Sequence, residues 1–383
     1  MTATVKRAIL AVTIILMAVG FATCSPLFVI RAGHEQVKIL SRREPIRDLA
    51  EDPRTTDHVR HKLALVLQAR EFAANILRLD AGDSYTMFSQ VDGDTLLLVL
   101  AGARKDRFEP VTWWFPIVGR VSYKGYFNHS AARRAAERLE QRGYDTVLRP
   151  ANAFSTLGWF NDPMLSTMLR YDDLALVSVV IHELAHNTLW LRGQLAFNES
   201  FATFVGDRGA IAFFCAREGE EAPECQQAQD RWHDTLVFGR FLSRLISNLE
   251  ALYDRTDLPT DTVLARREQV FQQARLDFQQ RILPELRTPR FRGFPDWEMN
   301  NAILMARRTY YKQLDIFEEA FHHLEGQLET TIHSIVQAAK AEPAAPYQAV
   351  ARMVGSRERT GKRNGMARVR KRARPRADTS TSA

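Results

Sequence analysis

Cysteine is nearly absent: three residues in 383 exclude a disulfide-built scaffold and a four-cysteine zinc module. No glycine-rich phosphate loop occurs, which argues against a nucleotide-binding enzyme of the P-loop or dinucleotide kind, and no internal repeat is visible. An apolar fraction of 45% with 25% charged residues leaves no room for a multi-spanning membrane protein or a mainly disordered chain. An acidic excess is lacking too, since the formal charge is +7. That charge is unevenly placed. Residues 356–383 hold ten Lys and Arg against Glu358 and Asp378, a net +8 that leaves −1 for the other 355 residues. The basic segment has almost nothing large and apolar to bury, so it reads as a disordered tail. It is either a solubilising extension or an arm for anionic surfaces, with no specific nucleic-acid partner expected.

The chain opens with Lys6 and Arg7 followed by an uncharged stretch over residues 8–30. Its apolar part, residues 8–22, has the length of a signal-peptide core, and the whole stretch could serve as an uncleaved anchor. Basic residues in front place that end in the cytoplasm and the body outside it. Phe21-Ala22-Thr23-Cys24 is similar to a degraded bacterial lipoprotein box, so the membrane partner is reached either through the anchor or through lipid at Cys24. Residues 1–30 are thus a leader, 31–355 a single body and 356–383 the tail. Cys215 and Cys225 are either bridged, an option an exported compartment permits, or two free thiols.

Hydropathy patterning divides the body. Residues 31–79 read as helical with a break at Asp52-Pro53-Arg54. Short apolar runs at 95–100, 111–115, 120–123 and 144–149 read as strands, with a helix over 130–142 closed by Gly143. The aromatic run 152–160 reads as an edge strand. From Asp172 the pattern is helical, with helices expected over 172–191, 198–217, 223–255, 260–286, 297–325 and 328–340. Strands followed by helices imply an α+β fold: one small mixed sheet, an active-site helix, and a mostly helical C-terminal part.

The chemistry sits at His182-Glu183-Leu184-Ala185-His186. Residues four apart share a helix face, so His182 and His186 can hold one metal ion, with Glu183 beside it as general base. The apolar neighbours Val177, Val179, Val180, Ile181 and Leu184 make three unsatisfied polar groups costly there, and a metal would satisfy them. A catalytic zinc needs a third protein ligand, and Glu199, at the start of the next helix, supplies the carboxylate. Two imidazoles and a carboxylate suit zinc among the divalent metals. Thr203 and Asp207 follow Glu199 at helical spacing, where they could buttress the ligands.

These residues resemble the gluzincin metallopeptidases, whose third ligand is the Glu of an Asn-Glu-x-x-Ala pattern, present here as Asn198-Glu199-x-x-Ala202. A closer likeness is to a bacterial family of predicted, zincin-like aminopeptidases. It is carried by Arg43-Glu-Pro-Ile46, Phe115-Pro-Ile-Val-Gly119, Tyr123-Lys-Gly-Tyr-Phe127, Phe154-Ser-Thr-Leu-Gly-Trp-Phe160, Asp162-Pro163, Leu165-Ser-Thr-Met-Leu-Arg170, Phe197-Asn-Glu-Ser-Phe-Ala-Thr203 and Asn300-Asn-Ala302. The resemblance implies a zincin-like fold, a zinc cofactor and peptide hydrolysis near N-termini. It also implies a Tyr or His from a later helix facing the oxyanion. Tyr310 is favoured over its neighbour Tyr311. An edge strand above the zinc helix would hold peptide, which points to residues 155–159 with Leu157 and Gly158 as substrate-binding positions. Two features depart from the family and clan. Trp114 and Arg120 stand where the family often carries cysteines, and the Gly-x-Met-Glu-Asn box that anchors a substrate amine is missing. The expected protein is an exported zinc aminopeptidase, with a non-catalytic envelope scaffold of the same fold as the alternative.

Overall fold

The computed structural model describes residues 41–91, 97–115, 119–151 and 162–355. The leader, the basic tail, the expected strand over 152–160 and the positions Leu157 and Gly158 lie outside them. Among the described residues no helix is long and apolar enough to cross a membrane.

The fold is mixed α+β and mostly helical. In chain order the elements are β1 (Arg43–Pro45), α1 (Ile46–Glu51), α2 (Asp57–Asn75), β2 (Met87–Ser89), β3 (Leu97–Arg104), β4 (Trp113–Phe115), β5 (Gly119–Val121), β6 (Tyr123–Tyr126), α3 (His129–Glu140), β7 (Tyr144–Ala151), β8 (Met164–Leu165), α4 (Asp173–Thr188), α5 (Leu195–Glu218), α6 (Pro223–Tyr253), α7 (Thr260–Asp277), α8 (Asn301–Tyr311), α9 (Leu314–His323) and α10 (Leu328–Ala341). Residues 346–355 close the described chain as a further helical stretch.

The single mixed sheet expected from the sequence is three small ones. β1-β2-β8 is mixed, antiparallel between β1 and β2 and parallel between β2 and β8. β6-β3-β7 is antiparallel, and β4-β5 is a hairpin. β1, β2 and β8 are two or three residues long, too short to show a period of two in sequence.

The central sheet sets up the site by alternation. Leu100, Leu148 and Tyr126 fall on one face, which buries against Ala135, Ala136 and Leu139 of α3. The opposite face carries Val99, Ala101, Asp145, Val147, Arg149, Gly125 and Tyr123, because residues two apart along a strand share a face. Against that face lies α8, tied on by a buried polar knot. Asp145 accepts hydrogen bonds from Arg267 Nη1 (2.8 Å) and the Asn301 amide (2.9 Å), and Tyr253 donates to Asn301 Oδ1 at 2.8 Å. Every partner is satisfied, so burying this ion pair is tolerable.

The core lies between the helices. α4 is sandwiched by α2 and α5, and its Leu176, Val177, Val180, Ile181 and Leu184 are almost fully buried. Val and Ile have modest helix propensity, so packing rather than propensity holds this helix. Its start is marked by Asp172, whose carboxylate caps the Ala175 amide at 2.8 Å and pairs bidentately with Arg231. A second cluster stacks Phe238, Phe291, Phe294 and Tyr311 between α6 and the C-terminal segments.

Several expected boundaries change. The helix expected over 297–325 is two, α8 and α9, because Gln313 adopts a left-handed backbone (φ 51°) that no α-helix continues through. The helix expected to reach residue 286 gives way at Phe278 to a wider π-turn and then a 3-10 turn holding Pro284. The strand expected to end at residue 100 runs on to Arg104, and at Gly102 inside it an added Cβ would meet Val111 at 3.0 Å. Between α5 and α6, Cys215 and Cys225 form a disulfide, which settles the open choice between bridge and free thiols.

Candidate metal centre

α4 and α5 cross closely, and the crossing creates the site. At Gly206 of α5 a Cβ would stand 2.7 Å from the Ser178 carbonyl oxygen and 3.0 Å from His182 Cβ, so only glycine permits this approach. The connection between the helices is held by Asn198. Its side chain accepts from the Leu191 amide and donates to the Leu191 carbonyl, both at 2.9 Å, with no solvent exposure. α5 starts at Leu195, three residues earlier than expected, so Glu199 stands a full turn inside the helix and not at its first position.

This arrangement brings Glu199 Oε2 to 3.5 Å from His182 Nε2 and 3.7 Å from His186 Nε2. One donor atom from each of the three residues lies within 4.8 Å of the others. Ligands bound tetrahedrally to zinc at about 2.0–2.1 Å are separated by roughly 3.3 Å, so the two carboxylate–imidazole distances are close to that spacing. His186 is 4% exposed, and its Nδ1 is buried without a hydrogen-bond partner among the described residues. Its ring is held by edge contact with Trp190 (centroids 5.3 Å apart) and with His182 (4.9 Å). The donor set fits zinc.

Electrostatics tie the triad together. Burial works against the charged form of the His182 imidazole. Its contact with Glu199 and the charges of Glu183, Glu199 and Asp207 outweigh burial, so the pKa rises. Burial likewise disfavours the Glu199 carboxylate, yet the two imidazoles hold its pKa far below the usual range. The His182 imidazole and the Glu199 carboxylate therefore stabilise one another's charged form.

Around the triad the other predicted residues fall as follows. Glu183 is half-buried on the same helix. The Tyr310 ring is stacked over His182, with centroids 6.4 Å apart and planes 29° apart, whereas Tyr311 points into the aromatic core. Thr203 bonds back to the Glu199 main-chain carbonyl at 2.8 Å. Asp207 bonds Ser178 Oγ (2.6 Å) and Thr235 Oγ1 (3.3 Å). Neither touches a ligating side chain by a hydrogen bond among the described residues. Asp207 instead fastens α5 to α4 and α6, and reaches His182 only through its charge.

Three residues of the site were not foreseen. Arg149 of β7 donates through Nη1 to Tyr310 Oη at 3.2 Å. Tyr123 of β6 stands on the same sheet face; burial, then the Glu199 charge, push its phenol pKa up. Tyr85, left-handed at φ 60° and 3% exposed, is pushed up by burial and then by the Glu183 charge. A bulky side chain in the left-handed region is strained, a condition that clusters at functional sites. Arg149 and Tyr123 could have been found from strand alternation once the pairing was known. Tyr85 carries no sequence signal.

The comparisons with known proteins now bear on this geometry. A family profile described as "Putative aminopeptidase" matches residues 27–350, most of the chain. The chain belongs to this family. No curated protein and no solved structure gives a match. Family membership points to a peptidase.

Proposed function

We propose that the protein is a zinc-dependent aminopeptidase of the bacterial cell envelope with a zincin-like active site. The observation that supports this reading is the meeting of His182, His186 and Glu199 within metal-binding reach, with Glu183 one residue beyond the first ligand. His182, His186 and Glu199 would hold the ion. When bound, zinc would polarise the scissile carbonyl and make water a competent nucleophile near neutral pH.

The chain's own groups supply the proton traffic. Glu183 accepts a proton from the attacking water as the C–O bond forms. It returns that proton to the amine nitrogen as the C–N bond breaks, so water is added across the peptide bond with no net change on the enzyme. Tyr310 stands over His182 with Arg149 already donating to its phenol oxygen. Because arginine can only donate, the Tyr310 proton is free to point elsewhere, and it is aimed at the developing oxyanion. The N-terminal segment holds the body on the periplasmic side of the inner or the outer membrane, either as an uncleaved anchor or through lipid carried on Cys24 after cleavage.

Glu183→Gln tests the reading. The variant should bind zinc like the parent and lose hydrolysis of N-terminal residues from a peptide library by at least about a hundredfold. Unchanged hydrolysis in that variant would sink the role of Glu183, and no hydrolysis by the zinc-loaded parent would leave the non-catalytic zincin-like scaffold.

A further inference from the structure

Other partly buried arginines of this chain are matched either by acids, Arg267 by Asp145 at 2.8 Å and Arg208 by Glu318, or by pairs of main-chain carbonyls, as Arg275 is by Pro295 and Trp297. Arg149 differs. Among the described residues no carboxylate lies in ion-pair range of it, and its one hydrogen bond goes to the neutral phenol of Tyr310. Its guanidinium packs 5.8 Å from the centre of the Tyr310 ring, and that ring covers His182. Tyr123, two rows along the same sheet face, is 42% exposed, and among the described residues its hydroxyl makes no hydrogen bond. A half-buried cation on β7 and a phenol on β6 thus stand on the sheet wall that adjoins His182 through Tyr310. A substrate amine would be repelled by such a wall; a carboxylate would be held by it.

Resting on the function proposed above, we propose that Arg149, with Tyr123 beside it, binds a substrate carboxylate one residue past the scissile bond, so that the preferred substrates are dipeptides and similarly short peptides. The spacing suits this. Tyr310 Oη and Arg149 Nη1 are 3.2 Å apart, close to the roughly 3.3–3.6 Å that one residue of extended chain covers, so the two groups match a carbonyl and a carboxylate one residue apart. The released products are then free amino acids, and the substrates are the small fragments left by endopeptidases.

The test uses the full-length, zinc-loaded Glu183→Gln protein and equilibrium binding by calorimetry, so that no turnover is needed. Three probes are compared: alanyl-phenylalanine, its C-terminal amide, and alanyl-aspartate amide. The free acid should bind roughly tenfold to a hundredfold tighter than its amide, the range of a charge-assisted hydrogen bond. Arg149→Met should erase that ratio and Arg149→Lys should keep part of it. Tight binding of the aspartate amide would support the carboxylate site while assigning its ligand to a side chain. Equal binding of acid and amide to the Glu183→Gln protein overturns the proposal without any Arg149 variant. So does an equal loss for both probes in Arg149→Met, which would leave Arg149 as a positioning residue for Tyr310. Failure of the underlying function is seen separately, as an acid preference in binding with no hydrolysis of any probe by the unsubstituted protein.

Discussion

Gly206→Ala puts the close crossing of α4 and α5 to the test. The new Cβ would lie 2.7 Å from the Ser178 carbonyl oxygen, and an ordinary carbon–oxygen contact is about 3.3 Å, so the helices must part by about 0.6 Å. The obstacle is backbone, and the next atom met, His182 Cβ at 3.0 Å, belongs to a ligand, so neither can swing aside. Glu199 rides on α5 two turns from the clash, with its oxygen 3.5 Å from His182 Nε2. Zinc sites tolerate only about 0.2 Å in ligand distance, so the displaced carboxylate should weaken zinc binding at least about tenfold. Overpacking costs about 1–3 kcal/mol, and replacing a helical glycine returns about 0.5–1, for a net destabilisation of about 1 kcal/mol. Competition against a chromophoric chelator measures the first effect, and denaturant unfolding of the metal-free protein the second. Parent-like zinc affinity together with unchanged or increased stability would refute the claim that glycine at this crossing sets the ligand spacing.

Other expectations follow from the same geometry. Tyr310→Phe should lower kcat by about a hundredfold to a thousandfold, as for loss of one oxyanion donor, while Tyr311→Phe, in the aromatic core, should leave kcat near the parent value. Steady-state kinetics on one peptide separates the two. Asp172→Ala removes the cap of α4 and should lower stability by about 1 kcal/mol in urea unfolding at neutral pH. The pairing with Arg231 holds the Asp172 pKa below its usual value, despite opposing burial, with the Ala175 amide adding to it. Its contribution is therefore complete above the unfolded carboxylate pKa near 4 and fades as pH falls through the lower folded value, so the parent and the variant should converge in acid. A stability difference that stays constant as the pH is lowered below about 4 would contradict this.

Much of the site was legible because its ligands are local. His182, Glu183 and His186 depend only on helical spacing, and Glu199 on a single reversal, so pattern and chemistry sufficed to bring them forward. Tyr310 was favoured over Tyr311 from the resemblance to later-helix donors. The structure gives the physical distinction, since one ring covers His182 and the other joins Phe238 and Phe291. Arg149 and Tyr123 escaped notice because their placement depends on register across β6, β3 and β7, which no short window contains. The same limit explains the sheets: β2 and β8 meet only through the pairs Phe88–Met164 and Ser89–Leu165, far apart in sequence, a match invisible in composition. The helix break at Gln313 escaped because glutamine is a good helix former and nothing nearby marks a stop.

The hydrogen bond from Arg149 to Tyr310 spans 161 residues, while the metal ligands are separated by one helix-to-helix turn. Loop closure costs more entropy for the longer span, and non-local contacts form late. The two halves of the centre thus mature at different times. A growing chain can close its ligand triad as soon as α5 is made, but the phenol and guanidinium meet only after α8 docks on the sheet. On the function proposed above, the capacity to hold an ion would precede the capacity to cut, and the order in which the parts are completed would shield the unfinished polypeptide.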